Sequence, residues 1–354
     1  MEPRIQYAKT SDGVNIAYAV FGEGPPLVYV ASAAGVHLYS RFSLARLGTD
    51  QLTSAGFQVV RHDGRGTGSS DHAARDFSLE ARLRDLEAVV DGLGLERFAL
   101  AGHLDGGLTA IAYTARHPER VSHLVLREPY ASGADLDEFS PGRRALKALR
   151  PVAEENWELV TLNVAHLNFG FIDSEAAKEV AAAIRSATSA AVWVQMGEAT
   201  DDIDVTELLG AVQAPTLIIH DTVVPGRVLV GIEAIRKVAA AIPGARLLTT
   251  DDFAAAAGEF LREGEQLATT PAAPVQPTAL RTILFTDIVG HTEMMSRLGD
   301  ERGRDVLREH ERITREVLKA HGGAEVKTMG DGFMASFGSV TKAIECAVGA
   351  AEGV

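Results

Sequence analysis

Short apolar runs bounded by turn signals recur through the first part of this chain, and they constrain its fold more than any other feature. "VNIAYAVFG" occupies 14–22, "LVYVAS" 27–32, "FQVVRHD" 57–63, "RFALAG" 97–102 and "VSHLVLREP" 121–129. Each is of strand length and sits between turn signals. Helical stretches lie between them: "ARLRDLEAVVDGLGL" at 81–95 sets Leu83, Leu86, Val89, Val90 and Leu93 on one face. Strand and helix alternating in this way predict an α/β fold with a doubly wound, mostly parallel sheet.

The pattern then changes twice. Residues 131 to 210 are Ala-rich and helical in character, which predicts an inserted helical cap. "APTLIIHD" (214–221) returns to a strand and "GIEAIRKVAAAI" (231–242) to a helix. Proline and small residues take over in "TTPAAPVQPT" (269–278), a linker by composition. The expected boundaries are a first domain over 1–265, a linker over 266–279 and a second domain over 280–354. The second domain reads strand, helix, strand, strand, helix.

Composition removes several classes of function. A net charge of −14 lacks the basic footprint that nucleic acid requires. No apolar stretch approaches the roughly 18 residues of a membrane span. The N-terminal "MEPRIQYAKTSDG" has no apolar signal core. Cys346 is the single cysteine, so no internal disulfide can form and a cytoplasmic setting is expected.

The stretch "FALAGHLDGGLTA" (98–110) runs from an apolar strand through a glycine turn into a small-residue helix. That is the setting of the G-x-S-x-G nucleophile elbow. The serine position holds Leu104. With "RHDGRGTGSSD" (61–71), "HPERVSHLVL" (117–126), "APTLIIHDTVVP" (214–225) and "IPGARLLTTDDF" (242–253) in order, the first 260 or so residues resemble an α/β hydrolase. The resemblance places the catalytic acid at Asp221 and the histidine at Phe253, the last residue of "DDF". Leu104 has no nucleophilic atom and Phe253 no base, so the catalytic set is degenerate. Asp105 lies one residue past the nucleophile and its side chain is expected to point elsewhere. His103 reads as a packed or capping residue. "GRGTG" is not G-x-G-x-x-G, because Ser69 fills the last place, and reads as a plain glycine loop. The expectation is a folded scaffold without esterase chemistry, whose pocket keeps room for a small apolar or ester-like ligand. A hydrolase with an unorthodox nucleophile is the alternative in the enzyme class.

In the second domain, "FTDIVGHTE" and "HGGAEVKTMGDGFMASF" carry the chemistry. Asp287 ends the first strand and Asp331 sits at the "GDG" turn between two later strands. A right-handed crossover makes the first two strands parallel, which brings both carboxylates to one edge beside backbone carbonyls. Hard oxygen donors of this kind suit magnesium. Singly, the "GDG" turn is an ordinary hairpin, Asp287 a helix cap and Lys327 a solvated strand residue; their joint spacing points to a metal site.

These two pieces resemble the first half of a class III adenylate/guanylate cyclase catalytic domain, giving a partial ferredoxin-like α+β domain. The resemblance implies two Mg2+ or Mn2+ ions held by Asp287, Asp331 and the Ile288 carbonyl. It also implies ATP as substrate, Lys327 as purine contact, and a second cyclase domain in a head-to-tail dimer. The family pattern continues to an Asn and an Arg that do not occur before Val354, so the 354-residue chain is expected to make no cyclic AMP alone. A non-enzymatic pseudo-hydrolase binding module with a vestigial cyclase segment is the remaining alternative.

Overall fold

The computed structural model describes residues 4–32, 38, 44–168, 174–221, 230–269, 282–286, 291–329, 332–337 and 340–352. The chain divides into two compact units, Met1–Thr269 and Thr270–Val354. In the first unit the elements run β1 (Gln6–Lys9), β2 (Asn15–Phe21), β3 (Pro26–Val30), α1 (Leu44–Ser54), β4 (Gln58–His62), α2 (Leu79–Gly92), β5 (Phe98–His103), α3 (Gly106–Arg116) and β6 (Val121–Arg127). Five cap helices follow: α4 (Gly133–Phe139), α5 (Pro141–Leu149), α6 (Trp157–Asn168), α7 (Ser174–Ala187) and α8 (Ala190–Asp201). The unit closes with β7 (Thr216–Asp221), α9 (Ile232–Ala241), β8 (Arg246–Thr250) and α10 (Phe253–Thr269). Residues 266–269, expected as linker, therefore continue α10. Proline, which would break the helix, is first met at position 271.

The eight strands form one sheet in the order β1-β2-β4-β3-β5-β6-β7-β8. β1, β2 and β4 pair antiparallel, and every pair from β4 to β8 is parallel. The central strands are apolar on both faces because each face is covered by helices. Val28, Leu100, Leu124 and Leu126 pack on one side with residues of α2, α3 and α9, such as Leu86, Ile111 and Ile235. Tyr29, Ala101, Val125 and Ile219 pack on the other with Phe253, Ala257 and Phe260 of α10. The face predicted for α2 is the one it buries: Leu83, Leu86, Val89 and Val90 are inside, and Ser78 caps its N-terminus by accepting from the Ala81 N–H. The cap has its own core, in which Val160, Val164, Val180, Ile184 and Trp193 meet.

The second unit contains β9 (Thr282–Thr286), α11 (His291–Ala320), β10 (Ala324–Met329), β11 (Gly332–Phe337) and α12 (Val340–Glu352). Its sheet order is β10-β11-β9, with both outer strands antiparallel to β11. β9 and β10 are thus parallel to each other but separated by β11. Leu318, Ala335, Phe337, Ala343 and Cys346 form its buried centre. Helix α11 is the longest of this unit's described helices, running 30 residues from His291 to Ala320.

Candidate functional site

The turn between β5 and α3 has the geometry of a nucleophile elbow with a leucine in the nucleophile's place. Leu104 has φ of +52°, a left-handed conformation that costs a non-glycine residue roughly 1–2 kcal/mol. The glycines around it are required by close approach. A Cβ on Gly102 would stand 2.7 Å from the Gly107 Cα, and one on Gly106 would stand 2.3 Å from the Val30 carbonyl oxygen. The strand, the helix and the end of β3 meet too tightly there for any side chain. The Leu104 N–H donates to the Arg127 carbonyl at 3.1 Å, tying the elbow to the end of β6.

Asp221 ends β7, and its carboxylate is ion-paired with the Arg127 guanidinium; both side chains are buried. The same guanidinium lies over the Phe253 ring, 5.0 Å from its centroid. The ring also makes an edge contact with Tyr29 at 6.2 Å. Asp221 and Phe253, the residues expected at the acid and histidine positions, are therefore linked through an arginine. Glu128, also left-handed at φ +52°, adds a second brace. Its carboxylate accepts from the Asp221 N–H at 2.6 Å and lies 3.0 Å from His220 Nδ1. Neither Arg127 nor Glu128 was identified from the sequence. The signal was present: "RE" follows the buried apolar run Leu124–Leu126, at the carboxyl end of the strand, where α/β proteins place their sites.

Leu104 lines a cleft between sheet and cap, with 780 Å³ of empty space, its open mouth included. Its other lining residues include Ser32, Tyr130, Leu136, Val164, Trp193 and Met196. Asp105, expected to point away, lines this cleft beside Leu104. The left-handed backbone at Leu104 re-aims the following residue. Asp105 accepts from the Ser32 hydroxyl and pairs with Arg82 at 3.3 Å. Arg82 in turn donates to the Thr200 hydroxyl of α8 at 2.5 Å, so the helix under the cleft is joined to the cap. Asp221 and Phe253 are not among the described lining residues. His103 is buried at the end of β5.

The glycine loop after β4 folds around a carboxylate of its own. Asp63 accepts from the N–H groups of Ser69 and Leu38, each at 2.9 Å. Arg65 within the loop pairs with buried Asp85 at 2.8 Å and with Asp12 at 2.9 Å. Burial raises the Asp85 carboxyl, and this outweighs the lowering by Arg65. These donors are used internally, as a structural loop requires.

In the second unit, Asp287, Ile288 and Asp331 lie outside the described residues. Their neighbours are described: Thr286 pairs with Phe333, and Met329 pairs with Gly332 across the hairpin. Lys327 belongs to β10 and pairs with Met334, next to a register shift between Glu325 and Lys327.

A family model described as alpha/beta hydrolase fold matches residues 25–195. One described as adenylate and guanylate cyclase catalytic domain matches 274–352. A 2-hydroxy-6-oxononadienedioate/2-hydroxy-6-oxononatrienedioate hydrolase of Klebsiella pneumoniae is 35% identical over 153 residues, which span 41% of this chain and 48% of that protein. An AB hydrolase superfamily protein of Bacillus subtilis is 26% identical over 228 residues, 60% of this chain and 80% of that protein. Among solved structures, a hydrolase from Pseudomonas aeruginosa superposes with a TM-score of 0.58 at 24% identity, covering 74% of this chain and 98% of its own. An esterase from Exiguobacterium antarcticum does so with 0.59 at 20%, covering 75% and 98%. At these identities the superpositions carry the fold alone. Among the described residues, no helix is long and apolar enough to cross a membrane.

Proposed function

The chain joins a domain of the α/β-hydrolase fold to a segment of the adenylate/guanylate cyclase catalytic domain, and from this we propose a cyclic-nucleotide signalling protein whose hydrolase-like domain binds a ligand without turning it over. One observation carries the first half. Arg127 is ion-paired to Asp221 and stacked on Phe253, so the positions that would activate a nucleophile are joined in a structural contact. A serine hydrolase needs a base free to take the nucleophile's proton and an acid orienting that base. Here the acid is neutralised by an arginine and the base is a phenyl ring. The cleft persists beside Leu104, which supports binding rather than catalysis.

For the second half, the donor set is the argument. Asp287, Asp331 and the Ile288 carbonyl are hard oxygen donors of the kind magnesium and manganese accept. Such ions, when bound, activate an attacking oxygen and stabilise a leaving one. In this reading Lys327 contacts the purine of ATP, and a second cyclase domain completes the site head to tail. The cytoplasm, where ATP is available, is the corresponding location.

Complementation tests this reading. A full-length homologue with its metal aspartates changed to alanine is mixed with this chain, ATP and Mg2+ or Mn2+, and scored for cyclic AMP. Product is expected from the mixture and lost with Asp287→Ala. No product from a complex that demonstrably forms rejects the cyclase role.

Hydrolase turnover through Asp105 is the second reading, since Asp105 reaches the cleft. Its carboxylate is already engaged by Arg82 and Ser32. Hydrolysis of p-nitrophenyl esters well above buffer, abolished by Asp105→Asn, would establish it instead.

A further inference from the structure

The cap wall of the cleft carries two arginines, and a single carboxylate joins them. Arg143 of α5 and Arg150 just after it both line the cleft. Both guanidiniums are ion-paired with Asp201 at the end of α8. Burial alone would raise the Asp201 carboxyl; the Arg150 hydrogen bond and the charges of Arg143 and Arg150 reverse this and hold it below its ordinary value. Lys147 approaches Asp201 at 3.4 Å but is matched by Asp137 at 2.5 Å. The cluster of three cations and two carboxylates therefore holds one positive charge in excess. Each guanidinium has five N–H donors, and the bonds to Asp201 use only Nη2 of Arg143 and both Nη of Arg150. The Arg143 Nε is buried and without a hydrogen-bond partner.

The chain makes room for this charge. Gly197 also lines the cleft, and a Cβ there would stand 2.7 Å from Arg150 Nη2. Asp105, the one carboxylate among the described lining residues, is held by Arg82 and Ser32, while Leu104 of the elbow and Leu136, Val164, Trp193 and Met196 of the cap make the rest of the lining largely apolar.

We propose that the cleft binds a small amphipathic anion: an aliphatic or aryl body lying against Leu104, Trp193 and Met196, and one carboxylate taken by Arg143 and Arg150. This rests on the reading of the cleft as a ligand site and narrows it from apolar or ester-like molecules to carboxylates. Charge-assisted hydrogen bonds to guanidinium are about twice as strong as neutral ones. They gain further where the surroundings exclude water. A neutral ester of the same length fills the apolar part equally and leaves the excess cation unmatched.

The two tryptophans of the chain give the readout. Trp193 lines the cleft and Trp157 packs against it at a tilt of 52°, with centroids 5.6 Å apart. Octanoate and methyl octanoate are titrated into the full chain and followed by tryptophan fluorescence. Octanoate is expected to bind about tenfold more tightly or better, as a charge-assisted pair predicts. Arg150→Met should abolish that preference and leave the ester's affinity within about threefold, because only the charged contact is lost. Arg150→Lys, which retains the charge, should keep part of the preference and serves if the methionine variant does not fold. Equal affinity for acid and ester in the native chain overturns the proposal and leaves a ligand cleft standing. Binding of neither probe overturns both the proposal and the reading beneath it.

Discussion

The guanidinium of Arg127 lies 5.0 Å from the centroid of the Phe253 ring while it is ion-paired with Asp221. One residue at the end of β6 thus ties together the start of α10 and the end of β7. In the hydrolase resemblance, Asp221 and Phe253 stand where an acid and a histidine would share a hydrogen bond. Here they share a cation, which has no proton to give at any working pH.

Restoring a nucleophile should therefore restore nothing. Leu104→Ser is expected to leave p-nitrophenyl ester hydrolysis at the buffer rate. Leu104→Ser with Phe253→His should also stay near it, because Asp221 remains engaged by Arg127. A triple variant that also removes the Arg127 charge takes away that ion pair. Turnover in Leu104→Ser alone would show that the site has another base.

Arg127 is expected to matter more for stability than for any activity. Arg127→Met removes the guanidinium paired with the buried Asp221 carboxylate, a loss of about 3–5 kcal/mol for a broken buried pair. Replacing both partners, Arg127→Met with Asp221→Leu, should recover a large part of that, since a buried pair contributes little net against apolar residues. Urea denaturation of the two single variants and the double one measures the coupling. Additive losses would mean that the pair is not a pair in solution.

The elbow predicts an unusual ranking at position 104. Glycine is the residue most at ease at a φ of +52°, the value Leu104 holds. Leu104→Gly gains roughly 1–2 kcal/mol of relieved backbone strain. It forfeits a similar amount of side-chain burial, so the net change should stay within about 1 kcal/mol. Leu104→Val, smaller by one methylene but β-branched, should be the worse substitution because branching at Cβ is poorly accommodated there. Thermal denaturation of both variants decides, and a valine variant as stable as the glycine one contradicts the left-handed assignment.

His62 sets a pH dependence. Burial, aided by the charge of Arg61, lowers the His62 imidazole from 6.5 to about 4. The unfolded chain takes up the proton as pH falls through 6.5, while the folded chain refuses it until about 4. Stability is then fully present above 6.5 and declines between the two values, by about 3 kcal/mol. Equilibrium unfolding of the native chain and His62→Gln across this window should give a shallower decline for the variant.

The central sheet could be read from the chain because a strand buried on both faces must be apolar at every position, a property local to each run. The glycines of the elbow were legible for a related reason: they mark where three backbones crowd together. Asp105 was misjudged because its direction depends on the φ of the preceding Leu104 and on Arg82 reaching it from α2. Sequence proximity to a motif carries no such angle. Arg127 and Asp221 stand 94 residues apart. They meet because β6 and β7 are sheet neighbours, and Phe253 joins them because α10 packs on the face that carries Val125 and Ile219. The same holds for Arg143, Arg150 and Asp201, which are separated in sequence and brought together by helices of the cap. Burial is inscribed residue by residue in the apolar pattern. The pairing of charges depends on which ends of which elements adjoin, and chain folding alone supplies that.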